Sequence, residues 1–273
     1  MKLGIGTYAT MWAIGITGGG REARPERPMT AFDLLRRTHE LGLHVVQYGP
    51  NLPLADLPQN ELAALIEQAA AWDIELELGT RGLEADHLLP QIALAVRIGA
   101  RLLRTVPEVG GVTPPRAALP AHLRSILPDL AAAGLRLGLE NGLIPARDLA
   151  WALEQIGSPR LGVVLDMVNS LAVSEGWRYV TEILAPHTVC LHHKDFAIQR
   201  AWHMMGFIVE GRPAGQGQLD TPWLLDTLNA AGARYNVILE VWPPEQSTLD
   251  QTIALERRWV DEGIAYLRRF IRE

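Results

Sequence analysis

The sequence predicts a closed (β/α)8 barrel, the TIM-barrel class of α/β proteins. Short apolar segments alternate with longer amphipathic segments, and eight such pairs follow one another. The chain has 273 residues, near the ~250 that are typical of this class. No change of composition divides it. We therefore expect a single barrel domain over residues 1–273, with parallel strands and right-handed crossovers.

The predicted strands are short apolar segments, most of them bounded by Gly, Pro or Asn. They span residues 3–9, 43–48, 74–80, 102–106, 136–140, 161–166, 189–195 and 237–242. Pro107 follows the fourth strand and Pro243 follows the eighth. Because proline has no N–H to donate to a sheet, both are natural strand ends.

The predicted helices lie between the strands, at residues 29–41, 60–72, 85–98, 116–133, 146–156, 177–184, 222–231 and 249–271. In the second helix Leu62, Leu65 and Ala69 repeat at helical spacing. An open doubly wound sheet is the alternative architecture. The glycine run at 18–20 has no helix start behind it, so a dinucleotide-binding pattern has little support.

The composition excludes several classes of protein. With 48% hydrophobic and 21% charged residues, the chain is ordinary globular protein. No apolar run reaches the roughly 18 residues of a membrane span, and the first residues lack a signal-peptide pattern. The net charge of −6 argues against a nucleic-acid partner. The single cysteine, Cys190, cannot form an intramolecular disulfide, so we expect a reducing cytoplasm.

Four consecutive predicted strands end in a carboxylate or an imidazole. The strands from the fifth to the eighth supply Glu140, Asp166, His192 or His193, and Glu240. The C-terminal ends of barrel strands meet at one rim, where three crowded carboxylates would repel one another unless a cation lay between them. This donor set suits one divalent ion, Mn²⁺ or Mg²⁺ first and Co²⁺ or Zn²⁺ next. The alternative is that some of these residues are salt-bridge partners.

Alternation along the seventh strand does not decide which histidine faces the rim. Residues 190, 192 and 194 share one face, and residues 191, 193 and 195 share the other. We favour His192 as the inward residue, which also directs Lys194 inward.

The rim pattern resembles that of the xylose isomerase-like (β/α)8 superfamily, the sugar isomerase and epimerase group. His192-His193-Lys194-Asp195 is similar to its His-x-Lys-Asp stretch, Leu139-Glu140-Asn141 to its Leu-Glu-Asn, and the segment 215–220 to its Gly-x-Gly-x-(Ile/Leu)-Asp loop. The resemblance implies that Glu140, Asp166, His192 and Glu240 bind the metal, and that the two glutamates also serve as acid and base.

Three positions depart from this pattern. Many relatives have Asp-x-x-His on the sixth strand, where Asn169 replaces the histidine. Many have Glu at the end of the second strand, where Gln47 lies, and Gly142 follows Asn141 in place of a polar residue. These changes disfavour simple ketose epimerisation. The additional zinc ligands of the superfamily's DNA-repair endonucleases are not found either.

A long segment, residues 196–215, follows the seventh strand. It is far longer than the 2–6 residues usual in such connections, which predicts a lid or substrate-binding loop. Its aromatic and Met side chains would exclude water, and His203 and Arg212 would reach the substrate. The alternative is a surface excursion that packs its own apolar residues. The segment resembles that of a branch of the superfamily that includes the 3-oxo-isoapionate decarboxylases.

Further candidates concern substrate binding. Lys194 and Arg212 suit an anionic group on the substrate. For Arg104 the favoured interpretation is pairing with Glu75 and Glu77 inside the barrel. The remaining candidates are Asn51, which is equally a turn residue, Asn169, and Trp242, which would line a pocket for a sugar ring.

The leading hypothesis is a metal-dependent isomerase or epimerase of a keto sugar or sugar acid that works through an enediolate, with Glu140 and Glu240 as base and acid. The first alternative is a metal-dependent decarboxylase or lyase of a 3-oxo sugar acid. Lys194 or Arg212 would then hold the substrate, and His203 or a metal-bound water would protonate the enolate.

A non-catalytic sugar-binding barrel is the alternative of another class. The expected partner is a small, hydroxylated, anionic keto compound. Barrel enzymes commonly form homodimers, but no residue identifies an interface.

Overall fold

The chain alternates strands with helices in a computed structural model that describes residues 1–18 and 21–271. The strands are β1 (Leu3–Gly6), β2 (Ile16–Gly18), β3 (Arg21–Ala23), β4 (Val45–Tyr48), β5 (Glu75–Arg81), β6 (Leu102–Val106), β7 (Arg136–Glu140), β8 (Leu161–Asp166), β9 (Thr188–His193), β10 (Asp195–Arg200), β11 (Phe207–Arg212) and β12 (Asn236–Leu239). The helices are α1 (Met11–Ile14), α2 (Ala31–Glu40), α3 (Gln59–Ala71), α4 (Ala85–Arg97), α5 (Leu119–Ala132), α6 (Ala146–Ile156), α7 (Trp177–Leu184), α8 (Thr221–Ala230) and α9 (Leu249–Leu267).

Eight of the strands form a closed parallel barrel, so the predicted TIM-barrel class is confirmed. The order around the barrel is β1-β4-β5-β6-β7-β8-β9-β12, and β12 pairs with β1 to close it. Gly4 lies at this closure, opposite Val45 on one side and Ile238 on the other. A Cβ at Gly4 would overlap the Val45 carbonyl, so only glycine allows β1 and β4 to pair so closely.

Two apolar clusters hold the barrel together. A small one contains the buried side chains Val45, Leu102, Val164, Cys190 and Ile238, from five different strands. The large one joins the strands to the surrounding helices, as in any barrel with an outer helical ring. Cys190 is fully buried, and burial raises the pKa of its thiol. It packs as a small apolar residue.

The predicted strand ends differ from the observed ones in two places that matter for the site. The first strand ends at Gly6 and continues as a 3₁₀ turn, Thr7–Ala9, which brings Tyr8 to the rim. The eighth ends at Leu239, so Glu240 lies immediately beyond it. Tyr8 and Glu240 therefore lie on the connections that directly follow β1 and β12.

The long segment after β9 forms an antiparallel hairpin of β10 and β11, in which Asp195 pairs with Arg212 and Arg200 with Phe207. Its outer part is apolar and solvent-exposed: Trp202 is 92% exposed and Met205 is 87% exposed. The inner part differs, since Phe196 is 1% exposed and belongs to the large apolar cluster. A second, short hairpin pairs β2 with β3. Two residues of the glycine run, Gly19 and Gly20, lie outside the described residues.

No helix within residues 1–18 and 21–271 combines the length and the apolar character that crossing a membrane requires.

Candidate metal centre

Four buried side chains meet inside the C-terminal rim of the barrel. Glu140 and Asp166 are the last residues of β7 and β8, His192 lies opposite Asp166 on β9, and Glu240 follows β12. They are between 0 and 5% exposed. Because each lies at or near the end of its strand, the barrel itself determines their common level.

The donor atoms converge on one point. Ligand atoms of Glu140, Asp166 and His192 lie within 4.8 Å of one another. The His192 Nδ1 atom lies 3.2 Å from Glu240 Oε1 and 3.9 Å from Glu140 Oε1. Among the described residues, this buried nitrogen has no hydrogen-bond partner. The donor set of Glu140, Asp166 and His192 fits a divalent metal ion, and Glu240 Oε1 lies beside it at His192 Nδ1.

The residue after Glu140 holds the neighbouring strand end in place. Asn141 Nδ2 donates to the Asp166 carbonyl at 2.8 Å, and its Oδ1 accepts from the Asp166 amide at 2.6 Å. Asp166 Oδ1 in turn accepts from the amides of Val168 and Asn169, at 2.8 and 3.1 Å. The other oxygen, Oδ2, is thereby left for a cation. The Leu-Glu-Asn stretch thus supplies one candidate ligand and orients the next.

The last residue of the His-x-Lys-Asp stretch has a structural role. The Asp195 carboxylate accepts hydrogen bonds from the amides of Gly215, Gly217 and Leu219, at 2.8, 3.0 and 3.1 Å. A Cβ at Gly217 would overlap Asp195 Oδ1. The glycine loop at 215–220 therefore closes onto the end of β9, and Asp220 then caps α8.

Lys194 faces the same centre. Its Nζ donates to Asp166 Oδ2 at 2.8 Å and lies 2.7 Å from Glu240 Oε2. Burial alone would lower the pKa of Lys194, but the charges of Asp166 and Glu240 outweigh it and raise the pKa. Burial likewise would raise the pKa of Glu240, but Lys194 and then His192 outweigh it, and the pKa is lowered. The ammonium is therefore charged at neutral pH.

A second cation, Arg104, forms a buried ion pair with Glu140. The expectation that it pairs with Glu75 or Glu77 is wrong. Arg104 lies opposite Gly79 on β5, and those two glutamates lie nearer the start of that strand.

These residues line a cavity of about 310 Å³ that opens at the rim. Its lining is polar and aliphatic, and consists of Tyr8, Arg81, Arg104, Val106, Glu140, Asn141, Gly142, Leu143, Asn169, Ala172, Lys194 and Glu240. Asn169 Nδ2 donates to Glu140 Oε1 at 2.7 Å. Of the residues predicted to act on substrate, Asn169, Lys194, Glu140 and Glu240 are thus together at one cavity.

Four other residues that were predicted to act on the substrate do not line this cavity in the part of the chain that the structure describes. His203 is exposed at the turn of the β10–β11 hairpin and packs edge-on against Trp202. Arg212 pairs with Glu210 at 2.9 Å. Asn51 donates to the Thr7 carbonyl at 3.3 Å, and Trp242 donates to the Asp195 carbonyl at 3.3 Å.

Tyr8 was not among the residues predicted for the site, and Arg104 has a partner other than the predicted one. Burial raises the pKa of Tyr8, so its phenol is protonated at neutral pH. The guanidinium of Arg104 lies 5.8 Å from the centre of the Tyr8 ring. The signal for Tyr8 was available, since a residue just after the first strand lies on the catalytic rim.

Comparison with known proteins gives the family. The profile of the family described as xylose isomerase-like TIM barrel matches residues 10–270. The chain belongs to the xylose isomerase-like TIM-barrel family. The resemblance inferred from the rim motifs is thereby confirmed.

One curated relative of this xylose isomerase-like barrel matches over nearly its whole length. It is a 3-oxo-isoapionate decarboxylase from Pectobacterium atrosepticum, 33% identical over 268 residues, which cover 98% of this chain and 95% of the relative. Its relatives in this comparison are enzymes.

Solved structures share the fold of this xylose isomerase-like barrel. A xylose isomerase-like protein from Mycobacterium smegmatis, in complex with magnesium, has a TM-score of 0.68 at 13% identity and covers 97% of each chain. A D-psicose 3-epimerase with D-tagatose, from Clostridium cellulolyticum, has a TM-score of 0.69 at 14% identity and covers 98% of this chain and 97% of the other. At these identities the likeness shows the fold alone.

Proposed function

We propose that this chain is a metal-dependent decarboxylase of a 3-oxo sugar acid. The observation that carries the proposal is that two cations, Arg104 and Lys194, lie against the three carboxylates of the candidate metal centre. A bound divalent ion would leave the group with a single net positive charge. A substrate carboxylate would neutralise it. The full-length relative with this activity supports the same class of substrate.

In this reaction the bond between the carboxyl carbon and C2 breaks. Its electron pair moves toward the C3 carbonyl to form an enolate, carbon dioxide leaves, and C2 then takes a proton. A divalent ion held by Glu140, Asp166, His192 and Glu240 supplies electrophilic stabilisation of the negative charge on the substrate oxygen. The reaction needs no initial base.

The side chains of the cavity supply the remaining functions. Lys194 and Arg104 bind and orient the substrate carboxylate, which fixes the bond that breaks. Tyr8 donates the proton to C2, because its phenol is protonated at neutral pH and lines the same cavity. His203 was the sequence-based proton donor, but its ring lies on the exposed hairpin turn. Tyr8 is therefore preferred.

The test is an assay of carbon dioxide release from 3-oxo-isoapionate. We expect Mn²⁺- or Mg²⁺-loaded protein to release it, chelated protein to be inactive, and added metal to restore activity. His192→Ala should lose both bound metal and turnover, and Tyr8→Phe should bind metal normally but turn over more slowly. Release that persists in chelated protein, or no release from metal-loaded protein, would refute the proposal.

Isomerisation or epimerisation is the second candidate. It is favoured by one observation: Glu140 and Glu240 both line the cavity and approach the same atom, His192 Nδ1. This function predicts exchange of deuterium from D₂O into a keto sugar without loss of carbon dioxide. A purely binding function predicts that Glu140→Ala retains affinity for the ligand and that the wild type has no turnover.

A further inference from the structure

A buried polar chain lies on the side of His192 away from the candidate metal centre. His192 Nε2 lies 2.8 Å from Gln47 Oε1. Gln47 Nε2 donates to Glu77 Oε2 at 2.9 Å, and Asn236 Nδ2 donates to Glu77 Oε1 at 2.9 Å. Gln47 is 4% exposed and Glu77 is 1% exposed. These hydrogen-bonded side chains thus connect β4, β5, β9 and β12 inside the barrel.

The direction of these hydrogen bonds determines which nitrogen of His192 is protonated. Burial raises the pKa of Glu77, and the N–H groups of Asn236 and Gln47 offset only part of this shift. Gln47 presents its NH₂ group to Glu77 Oε2 and to Cys190 Sγ, and its oxygen to His192 Nε2. That oxygen only accepts, so Nε2 carries the hydrogen. Nδ1 faces the two glutamates, 3.2 Å from Glu240 Oε1 and 3.9 Å from Glu140 Oε1.

We propose that Gln47 and Glu77 are positioning residues of the metal centre, which fix the ring of His192 through its Nε2 atom so that Nδ1 faces the ion site. Neither residue contributes a ligand. They act through His192, as partners of metal-binding histidines commonly do, and loss of such a partner typically costs about 10–100-fold in metal affinity. The inference rests on the metal site of the proposed function.

The test compares two substitutions of the same residue. Gln47→Met removes the acceptor at similar volume, whereas Gln47→Glu keeps an acceptor for His192 Nε2. Mn²⁺ binding to the full-length, metal-free protein is measured by calorimetry, and the tautomer of His192 by ¹⁵N NMR of the imidazole. We expect Gln47→Met to bind Mn²⁺ about 10–100-fold more weakly and to show mixed tautomers. Gln47→Glu should keep the wild-type value of both, with one proton shared between its carboxyl group and that of Glu77.

Thr38→Val is the matched control for loss of a buried hydrogen bond. Thr38 is fully buried, and its hydroxyl donates to the Leu34 carbonyl within α2. The variant should lose stability but keep the wild-type Mn²⁺ affinity. If folded Gln47→Met keeps that affinity and the Nε2–H tautomer, the proposal is overturned.

If Gln47→Met does not fold, Glu77→Gln provides the same test at constant volume. An amide at position 77 can offer either an oxygen or an N–H to Gln47, so Gln47 loses its fixed orientation. Weaker Mn²⁺ binding with mixed tautomers is expected, and wild-type values for both would overturn the proposal. If the wild type itself binds no Mn²⁺, the proposed function fails instead, and the tautomer of His192 still tests the positioning role.

Discussion

The ammonium of Lys194 lies 2.7 Å from Glu240 Oε2, inside the cluster of candidate metal ligands. It also donates to Asp166 Oδ2, so one lysine neutralises two of the carboxylates that a metal ion would bind. A lysine so placed has two consequences. It keeps the carboxylates together when no metal is bound, and its charge opposes the binding of a cation.

Replacing Lys194 with Met should therefore change metal binding and stability in opposite directions. Without the ammonium, Asp166 and Glu240 lose their counter-charge, so the metal-free protein should melt at a lower temperature. The Mn²⁺ affinity should rise by about tenfold or more, equivalent to about 1.4 kcal/mol. Calorimetric titration and thermal unfolding with and without Mn²⁺ test both effects. A weaker Mn²⁺ affinity in the variant would contradict the competition.

The same Lys194→Met variant should bind an anionic substrate poorly. A hydrogen bond to a charged group contributes about 1.5–3 kcal/mol, so kcat/KM for a 3-oxo sugar acid should fall by roughly 10–100-fold. The neutral keto sugar of the same carbon skeleton has no carboxylate to lose, so it serves as a comparison ligand whose affinity is measured by inhibition. If the variant lost affinity for the neutral sugar as strongly as it lost kcat/KM for the acid, Lys194 would not be the carboxylate partner.

Breaking the Arg104–Glu140 pair should strongly destabilise the metal-free protein. Both side chains are about 6% exposed, and removing one partner of a buried pair typically costs about 3–5 kcal/mol. Arg104→Met should show this loss in urea unfolding with a chelator present. Arg258→Met is the matched control, because Arg258 is 64% and its partner Glu262 41% exposed, and such a pair should contribute only about 0–1 kcal/mol. Equal losses in the two variants would contradict this account.

Glu256 should make the stability depend on pH. Burial raises its pKa from 4.5 to about 7, although the amides of Trp12 and Ala13 donate to it. Between these values the folded state keeps a proton that the unfolded state releases, so the free energy of unfolding should fall as pH rises. The change is about 3 kcal/mol, and it is complete above the folded pKa.

Urea unfolding between pH 4.5 and 8 measures this dependence, and Glu256→Gln should remove the part of the slope that Glu256 contributes. Glu67→Gln is the control, since Glu67 is exposed on α3 and should leave the slope unchanged. An identical slope in wild type and Glu256→Gln would show that Glu256 titrates normally.

The exposed hairpin turn should contribute to activity without contributing to stability. Trp202 is 92% exposed, and substitutions at such sites usually change the free energy of unfolding by less than about 0.5 kcal/mol. If the hairpin covers the substrate, Trp202→Ala should lower kcat/KM at an unchanged melting temperature. Trp259→Ala, at a buried position, should lose about 3–5 kcal/mol. Unchanged kinetics in Trp202→Ala would exclude the covering role.

The β10–β11 hairpin also shows where sequence patterns stop. Its length after β9 indicated an unusual connection, but the apolar residues of its outer part are exposed and show no buried face. A lid or loop was therefore predicted, not two paired strands. The register of Asp195 with Arg212 depends on contacts across the turn, which no local period encodes.

The sequence by itself determined the order of strands and helices, and hence the barrel. Strand and helix periods, and the Gly and Pro residues that end them, act between near neighbours and are readable along the chain. That order also places Glu140, Asp166, His192 and Glu240 at one rim.

Only the tertiary structure decided the partners within that rim. Gln47 meets His192 across 145 positions of sequence, and Arg104 on β6 meets Glu140 at the end of β7. The tertiary structure also decided between the two histidines. His192 faces the inside of the barrel, where its Nε2 atom lies 2.8 Å from Gln47 Oε1, whereas His193 Nε2 lies 2.9 Å from the Thr221 hydroxyl. These contacts depend on the closure of the barrel, which sets how far each strand is displaced along its neighbour. Displacement between strands is a property of the whole sheet, and no single strand's sequence carries it.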